Sequence, residues 1–278
     1  MNRLIVILGI VAFSSASAGQ SLAPPAEWSG PAKVFAFDGG SAPALPVAKA
    51  PAPDFSAAVA LPRMSPDLAL ATFQKRASLQ TQQLAGYSAA TVIRAELPRS
   101  AQSGEFELER HYSAPRTLTF KVLRYVGDSF VKTNVIARLL QSEVDHVQKN
   151  DPAATALGPE NYKFSHKSTI TIEGRTIHVY QVKPRKKRPG LFKGHIYIDA
   201  CTGSLVRAEG RVVKSPSLFV GKIDFVQDYA DISGFTLPVH LHTEAKAVLV
   251  GRTVVDVVNR DYQPSVNPPE SAPASGAN

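Results

Sequence analysis

Lys193-Gly-His-Ile-Tyr-Ile-Asp199-Ala-Cys-Thr-Gly203-Ser-Leu-Val-Arg-Ala-Glu-Gly210-Arg-Val-Val213 decides the fold class. Two apolar–polar alternating runs, Lys193 to Asp199 and Leu205 to Val213, flank the turn Asp199–Gly203. In the second run Val206, Ala208 and Val212 oppose Arg207, Glu209 and Arg211, which gives a strand with one apolar face. The pattern extends over the whole stretch from Phe192 to Tyr262. Lys222 to Tyr229 and Phe235 to Glu244 meet at Asp231-Ile-Ser-Gly234, and Val248 to Val258 follows. Turns this short join antiparallel neighbours, because a parallel connection needs a crossover of a dozen residues or so.

Upstream the same alternation recurs in Tyr87 to Leu97, Phe106 to Tyr112 and Arg116 to Tyr125. Tyr162 to Glu173 and Thr176 to Lys183 form a hairpin across Gly174-Arg175. Two segments have helical spacing instead. Ser65-Pro66-Asp67 is a capped start, and Leu68, Leu70, Ala71, Phe73, Ala77, Leu79 and Leu84 recur up to Gly86. From Phe130 to Val147 an apolar stripe runs through Val131, Val135, Ile136, Leu139, Leu140, Val144 and Val147. About ten strands, two main helices and no βαβ rhythm predict an α+β fold. The expected form is an open, unclosed antiparallel β-barrel with helices covering its concave face. A barrel of that width is not readily filled by its own side chains, so a ligand cavity is expected.

The chain has 278 residues, a formal charge of +8 and a pI near 9.6, which suits contact with anionic surfaces. Met1-Asn-Arg3, the apolar run Leu4 to Phe13 and the small residues Ala16 to Gly19 predict a secretory signal over 1–19. Residues 20–65, rich in Pro and Ala, read as a largely disordered arm, with Trp28, Phe35, Phe37 and Phe55 as docking candidates. The domain is expected over 66–262 and a disordered tail over 263–278. Cys201 is the single cysteine and lies far from the cleavage region. No lipid-modified amino terminus is therefore expected, and the mature protein should be soluble in the periplasm. Export removes most of the case for a nucleic-acid partner.

Several segments together carry a family resemblance: Arg110-His-Tyr112, Pro115-Arg116, Lys193 to Asp199, Gly203, Val206-Arg207-Ala-Glu-Gly210, Phe225, Asp228-Tyr229, Leu237-Pro238, Gly251-Arg252 and Asp261-Tyr262. The chain resembles the LolA/LolB-like group of outer-membrane lipoprotein-sorting proteins, to which RseB-type periplasmic sensors are structurally related. The resemblance spans about Pro66 to Tyr262 and is best from Lys193 on. It implies a half-barrel with a helical lid that holds a lipid or a lipid-modified peptide. It also leaves open an envelope-stress sensor or protein-interaction module.

The residues expected to face such a cavity are Phe106, Leu108, Leu118, Phe120, Ile196, Ile198, Val206, Ile223, Phe225, Leu237, Val239 and Leu241; the alternative for each is a packed core. Arg185, Lys186, Lys187 and Arg188 form the densest charge run. In an exported protein such a run suits an anionic membrane surface or an acidic envelope protein, the alternative being a solvated loop. His240, His242 and Glu244 share one strand face but read as exposed side chains rather than a metal site. There is no Gly-x-Ser-x-Gly elbow, and Glu105, Glu107 and Glu109 read as a solvated face. Neither a catalytic residue, a cofactor nor a metal is expected.

Overall fold

In β2 (Gln102–Ser113) the alternation becomes a sheet: Phe106, Leu108, Arg110 and Tyr112 are buried, while Glu105, Glu107, Glu109 and His111 remain accessible. The computed structural model describes residues 62–149, 152–214, 220–247 and 251–267. The segments expected as signal and arm lie outside these, apart from the arm's last four residues. Ten antiparallel strands form one sheet in the order β3-β2-β1-β10-β9-β8-β7-β6-β5-β4. The outermost strands are β3 (Thr117–Gly127) and β4 (Tyr162–Ile172). Between them lie β1 (Leu84–Leu97), β5 (Arg175–Pro184), β6 (Phe192–Asp199), β7 (Leu205–Val212), β8 (Val220–Ile232), β9 (Phe235–Ala247) and β10 (Gly251–Val266). Since β3 and β4 do not pair with each other, the sheet is unclosed, the α+β architecture that the alternation predicts.

The chain travels from one edge strand to the other through helices. These are α2 (Ser129–Val131), a π-helical turn Lys132–Ile136, α3 (Ala137–Lys149) and α4 (Pro152–Thr155). Val131, Val135 and Leu139 recur at four-residue spacing and pack with Ile93, Phe106 and Leu108 in the main core. Phe192, Ile196, Ile198 and Phe225 continue that core across the other half of the sheet. No helix among the described residues is long and apolar enough to cross a membrane.

Helix α1 (Pro66–Gln83) starts where the Ser65 hydroxyl accepts the Leu68 N–H, at 3.4 Å, with Pro66 at the first helical position. It stops at Gln83 rather than Gly86 because Leu84 already pairs with Val266 of β10. Its buried side chains are only Ala69, Phe73 and Ala77. Polar bonds along its length hold it to the barrel. The Met64 N–H donates to Ala200 O at 2.7 Å, the Tyr180 hydroxyl to Pro66 O at 2.6 Å, and His178 Nε2 to Met64 O at 3.0 Å. Farther along, Arg76 pairs with Asp231, and Gln80 exchanges two hydrogen bonds with the backbone of Thr236.

Two terminal expectations change. Met64 is tied to His178 of β5 and to Ala200 after β6, and Ser65 caps α1, so the end of the arm is not free. Pro264 to Val266, expected in the tail, continue β10 against β1, and Asn267 N–H donates to Gln83 O at 2.8 Å. Pro264 is tolerated there because the register with β9 ends at Val258, so its missing N–H interrupts no ladder on that side.

The turn that receives the start of α1 is organised by Asp199. Its buried carboxylate accepts the N–H groups of Cys201 and Thr202, at 2.8 and 2.9 Å, and two bonds from Arg175, at 2.9 and 2.7 Å. Gly203 closes the turn at φ 69°, where a Cβ would press on Thr72 of α1. Burial disfavours the Asp199 carboxylate, but these donors outweigh it and hold its pKa below the ordinary value. A depressed carboxylate pKa stabilises the fold above the unfolded value, near 4, and the contribution disappears as pH falls through the folded one. Asp199→Asn should therefore cost about 2–3 kcal/mol in urea unfolding at pH 7, and the gap from wild type should close as the pH is lowered below about 4.

Candidate functional site

The expected cavity residues are brought together on the inner face, but as packed core. Phe106, Leu108, Ile196, Ile198, Phe225 and Leu241 belong to the main cluster. Leu118 and Leu237 lie in a second cluster, Ile223 in a third, and half-buried Phe120 touches the first two. Val206 and Val239 are the exceptions. Each is the extra residue of a bulge: Leu205 and Arg207 oppose consecutive residues of β6, and Pro238 and His240 oppose consecutive residues of β8. Both are half-exposed in consequence.

Within this apolar interior sits a polar cluster that the hydrophobic pattern conceals. Arg110 of β2 and Glu143 of α3 approach to 2.8 Å, with side chains only 5% and 3% exposed. Arg110 is in phase with Phe106, Leu108 and Tyr112. Glu143 continues the four-residue row of Val131, Val135 and Leu139 and ends at Val147, whereas Val144, expected in the stripe, is half-exposed. The guanidinium also lies 5.1 Å from the centre of the Phe120 ring. Burial opposes the charge on Arg110, yet the Glu143 carboxylate more than offsets it and raises the pKa. Burial raises the pKa of Tyr87 and Tyr229 beside it, so both phenols are neutral at any physiological pH.

Tyr87 Oη, Tyr229 Oη, Gln227 Oε1 and Arg110 Nε have no hydrogen-bond partner within the protein. Two small cavities run along them and share Tyr87 and Pro238. One, of about 40 Å³, lies under α1 among Gln80, Leu84, Tyr112 and Leu237. The other, of about 20 Å³, lies among Arg110, Glu143, Gln227, Asn259 and Tyr262. One water needs about 10–15 Å³ on this measure, so the pair suits a few waters. Ligand pockets of roughly 300 Å³ and more are a different scale. These two cavities are too small for an acyl chain, and among the described residues a larger guest there would have to displace a covering element.

The outer face is charged and laterally paired. Arg94 pairs with Glu105, Arg207 with Asp228 at 2.6 Å, Arg211 with Asp224 at 2.7 Å and Arg252 with Glu244 at 2.7 Å. Glu107 and Glu109 engage Arg124 and Lys121. His240 and His242 do face outward, both against Asp256, with Asp228 and Glu244 beyond. Among the described residues no group of three His, Cys, Asp or Glu has metal-holding geometry. Ser129 and Lys132 have the spacing of a Ser-x-x-Lys pair, but Lys132 Nζ sits over the Tyr125 ring at 5.1 Å. In the basic loop, Arg185 donates to Pro159 O at 2.7 Å and Arg188 to Asn161 Oδ1 at 3.0 Å, which leaves Lys186 and Lys187 turned to solvent.

Over residues 155–260 the chain matches a family described as a family of unknown function (DUF5686). No curated protein sequence matches it. Among solved structures it is similar to a LolA superfamily protein from Nitrosomonas europaea, with TM-score 0.36 and 10% identity over 73% of this chain and 94% of that one. It is also similar to a DUF1329 family protein from Desulfovibrio piger, with TM-score 0.39 and 10% identity over 71% and 92%. The third likeness is to MucB, with TM-score 0.25 and 12% identity over 70% and 93%. What the chain binds is to be read from its own surfaces.

Arg110 and Glu143 should behave as one unit. Glu143→Ala leaves a buried guanidinium unpaired and should cost about 3–5 kcal/mol in urea unfolding. Replacing both partners, as Arg110→Met with Glu143→Leu, should recover most of that loss. A single-variant cost below about 1 kcal/mol would mean that the pair is solvated in solution.

Proposed function

We propose that this is an exported, periplasmic binding protein that holds the acyl portion of a lipid or lipid-modified peptide against the inner face of the barrel. It performs no covalent chemistry. The observation that carries the reading is the mismatch between that face and its cover. A continuous apolar surface, from Phe106 and Leu108 to Phe192, Ile196 and Phe225, lies in part beneath a helix that buries only Ala69, Phe73 and Ala77, packs Leu70 partly against the core, and is further held by polar bonds.

The magnitudes favour exchange. Withdrawing Phe73 exposes a side chain worth roughly 1.5–3 kcal/mol. An acyl chain that takes its place gains about 0.8 kcal/mol per buried methylene, so about ten methylenes exceed that cost severalfold. Selectivity would then follow chain length and the polarity of the interior, where Tyr87, Gln227 and Tyr229 offer unsatisfied groups. If the start of α1 stays anchored at Met64 and Pro66, the bonds broken along the rest of the helix are the partly exposed Arg76–Asp231 pair and the half-buried bonds between Gln80 and Thr236.

Native mass spectrometry of the full chain purified without detergent should show bound species in the mass range of phospholipids or acylated peptides. Arg76→Ala with Gln80→Ala, which loosens α1, should take up a fluorescent fatty acid severalfold faster than wild type. A clean unliganded mass, with no uptake by either protein, would overturn the binding reading in favour of a barrel that contacts protein partners.

A further inference from the structure

Ion pairs run along the outer face from β7 to β3, but among the described residues none joins the lysines at the β4–β6 corner. Lys163 of β4 is directly opposite Lys183 of β5, and Lys193 of β6 is directly opposite Arg211 of β7. Lys183 and Lys193 flank the last β5/β6 pair, Val182 with Gly194, and so are themselves neighbours. On all three strands the adjoining residues Tyr162, Val182 and Phe192 point into the core, which places the lysines on the outer face. Lys163, Lys183 and Lys193 are exposed, and none has an acidic partner among the described residues. Arg211 has one, Asp224, at which the paired region begins. Like charges directly opposite one another destabilise a sheet. Elsewhere on the face Asp224 stands opposite Glu244 and Arg252 opposite Lys246, but there Arg211 and Arg252 pair with the two carboxylates, whereas the three lysines have no such relief.

The sequence around the row is just as one-sided. From Tyr162 to Ile198 there are nine Lys and Arg residues against one acid, Glu173, a net of +8 that equals the net charge of the whole chain. Lys186 and Lys187 project from the loop that joins β5 to β6, next to Lys183 and Lys193. The two arginines of that loop, though exposed, are engaged as braces on Pro159 and Asn161. What is presented outward is therefore a broad array of lysine ammonium groups. These dispersed point charges lack the fork that fixes single carboxylates or phosphates, and suit the non-directional attraction of an anionic membrane surface.

We infer that the outer corner formed by Lys163, Lys183, Lys193, Lys186 and Lys187 docks the protein on an anionic lipid bilayer. This docking is separate from whatever the concave face holds. Close to such a surface each basic residue is worth severalfold in affinity, so loss of three should weaken binding roughly a hundredfold.

The test is sedimentation of the full chain with vesicles of phosphatidylglycerol in phosphatidylcholine, against vesicles of phosphatidylcholine alone. Wild type should bind the anionic vesicles, bind the neutral ones far less, and be released as salt rises and screening shortens. Lys163→Gln, Lys183→Gln and Lys193→Gln combined should lose roughly a hundredfold in affinity. A control that removes three exposed charges elsewhere, Lys75→Gln, Arg116→Gln and Arg138→Gln combined, should lose little. Unchanged circular dichroism shows that both variants fold. Equal binding of wild type to neutral and anionic vesicles would mean that acyl capture holds the protein there, and would overturn the docking while sparing the carrier reading. Equal losses in the two variants, or capture of polyglutamate with no binding to anionic vesicles, would overturn it as well; the latter would assign the corner to an acidic protein.

Discussion

A ten-stranded sheet that curves without closing has an inner face that cannot be buried by the sheet alone. Everything else in this structure answers that constraint. Because β3 and β4 are the two edges yet follow each other in the chain, the connection between them must cross from one edge to the other. The π-helical turn and α3 use that crossing to lay Val131, Val135, Leu139 and Val147 over β1 to β3, so a topological necessity also covers half the core. The other half is left to α1, which comes from the amino-terminal side and contributes one aromatic and two alanines.

The two covers differ in kind. The crossing segment is fixed by continuous apolar packing and by a buried charge pair; α1 is fixed by bonds to backbone carbonyls and by an ion pair at the rim. A buried pair such as Arg110–Glu143 adds little net stability compared with apolar side chains of the same shape. Its consequence is positional. If α3 slipped by one residue, Arg110 would meet Ser142 or Val144 and remain charged without compensation. The register of α3 against β2 is therefore set sharply, whereas α1 has no comparable penalty for moving. On the proposed reading, α1 rather than α3 is the element that yields to a guest.

The sheet was legible in the sequence because side-chain period and turn chemistry are both local: β2 and the hairpin at Asp199–Gly203 can be read residue by residue. Features that depend on pairing were not. Val206 and Val239 have the right parity for the inner face, and it is the bulges, invisible without a partner strand, that turn them aside. Val122, in phase with Leu118 and Phe120, is turned out in a similar way, since the shift beside Leu108 and the edge position of β3 leave it exposed. Glu143 was hidden by its own polarity, although its spacing from Leu139 and Val147 placed it inside. Arg110 showed the same signal more openly, as the one charge in phase with Phe106, Leu108 and Tyr112.

The lysine row could not be seen in the sequence for a further reason. Lys163, Lys183 and Lys193 are dispersed over three strands, and only the register makes them neighbours; the contiguous run Arg185 to Arg188 draws attention to a loop whose arginines are structural braces. Position gives the row its meaning. It lies at the start of β4 and β6 and the end of β5, whereas α1 is tied to the opposite strand ends, at Ala200, Asp231 and Thr236. Along β6 the six steps from Lys193 to Asp199 amount to about 20 Å. A surface held by the basic corner therefore need not touch the bonds that keep α1 in place. The proposed attachment and the proposed opening are separable because they would use opposite ends of the same strands.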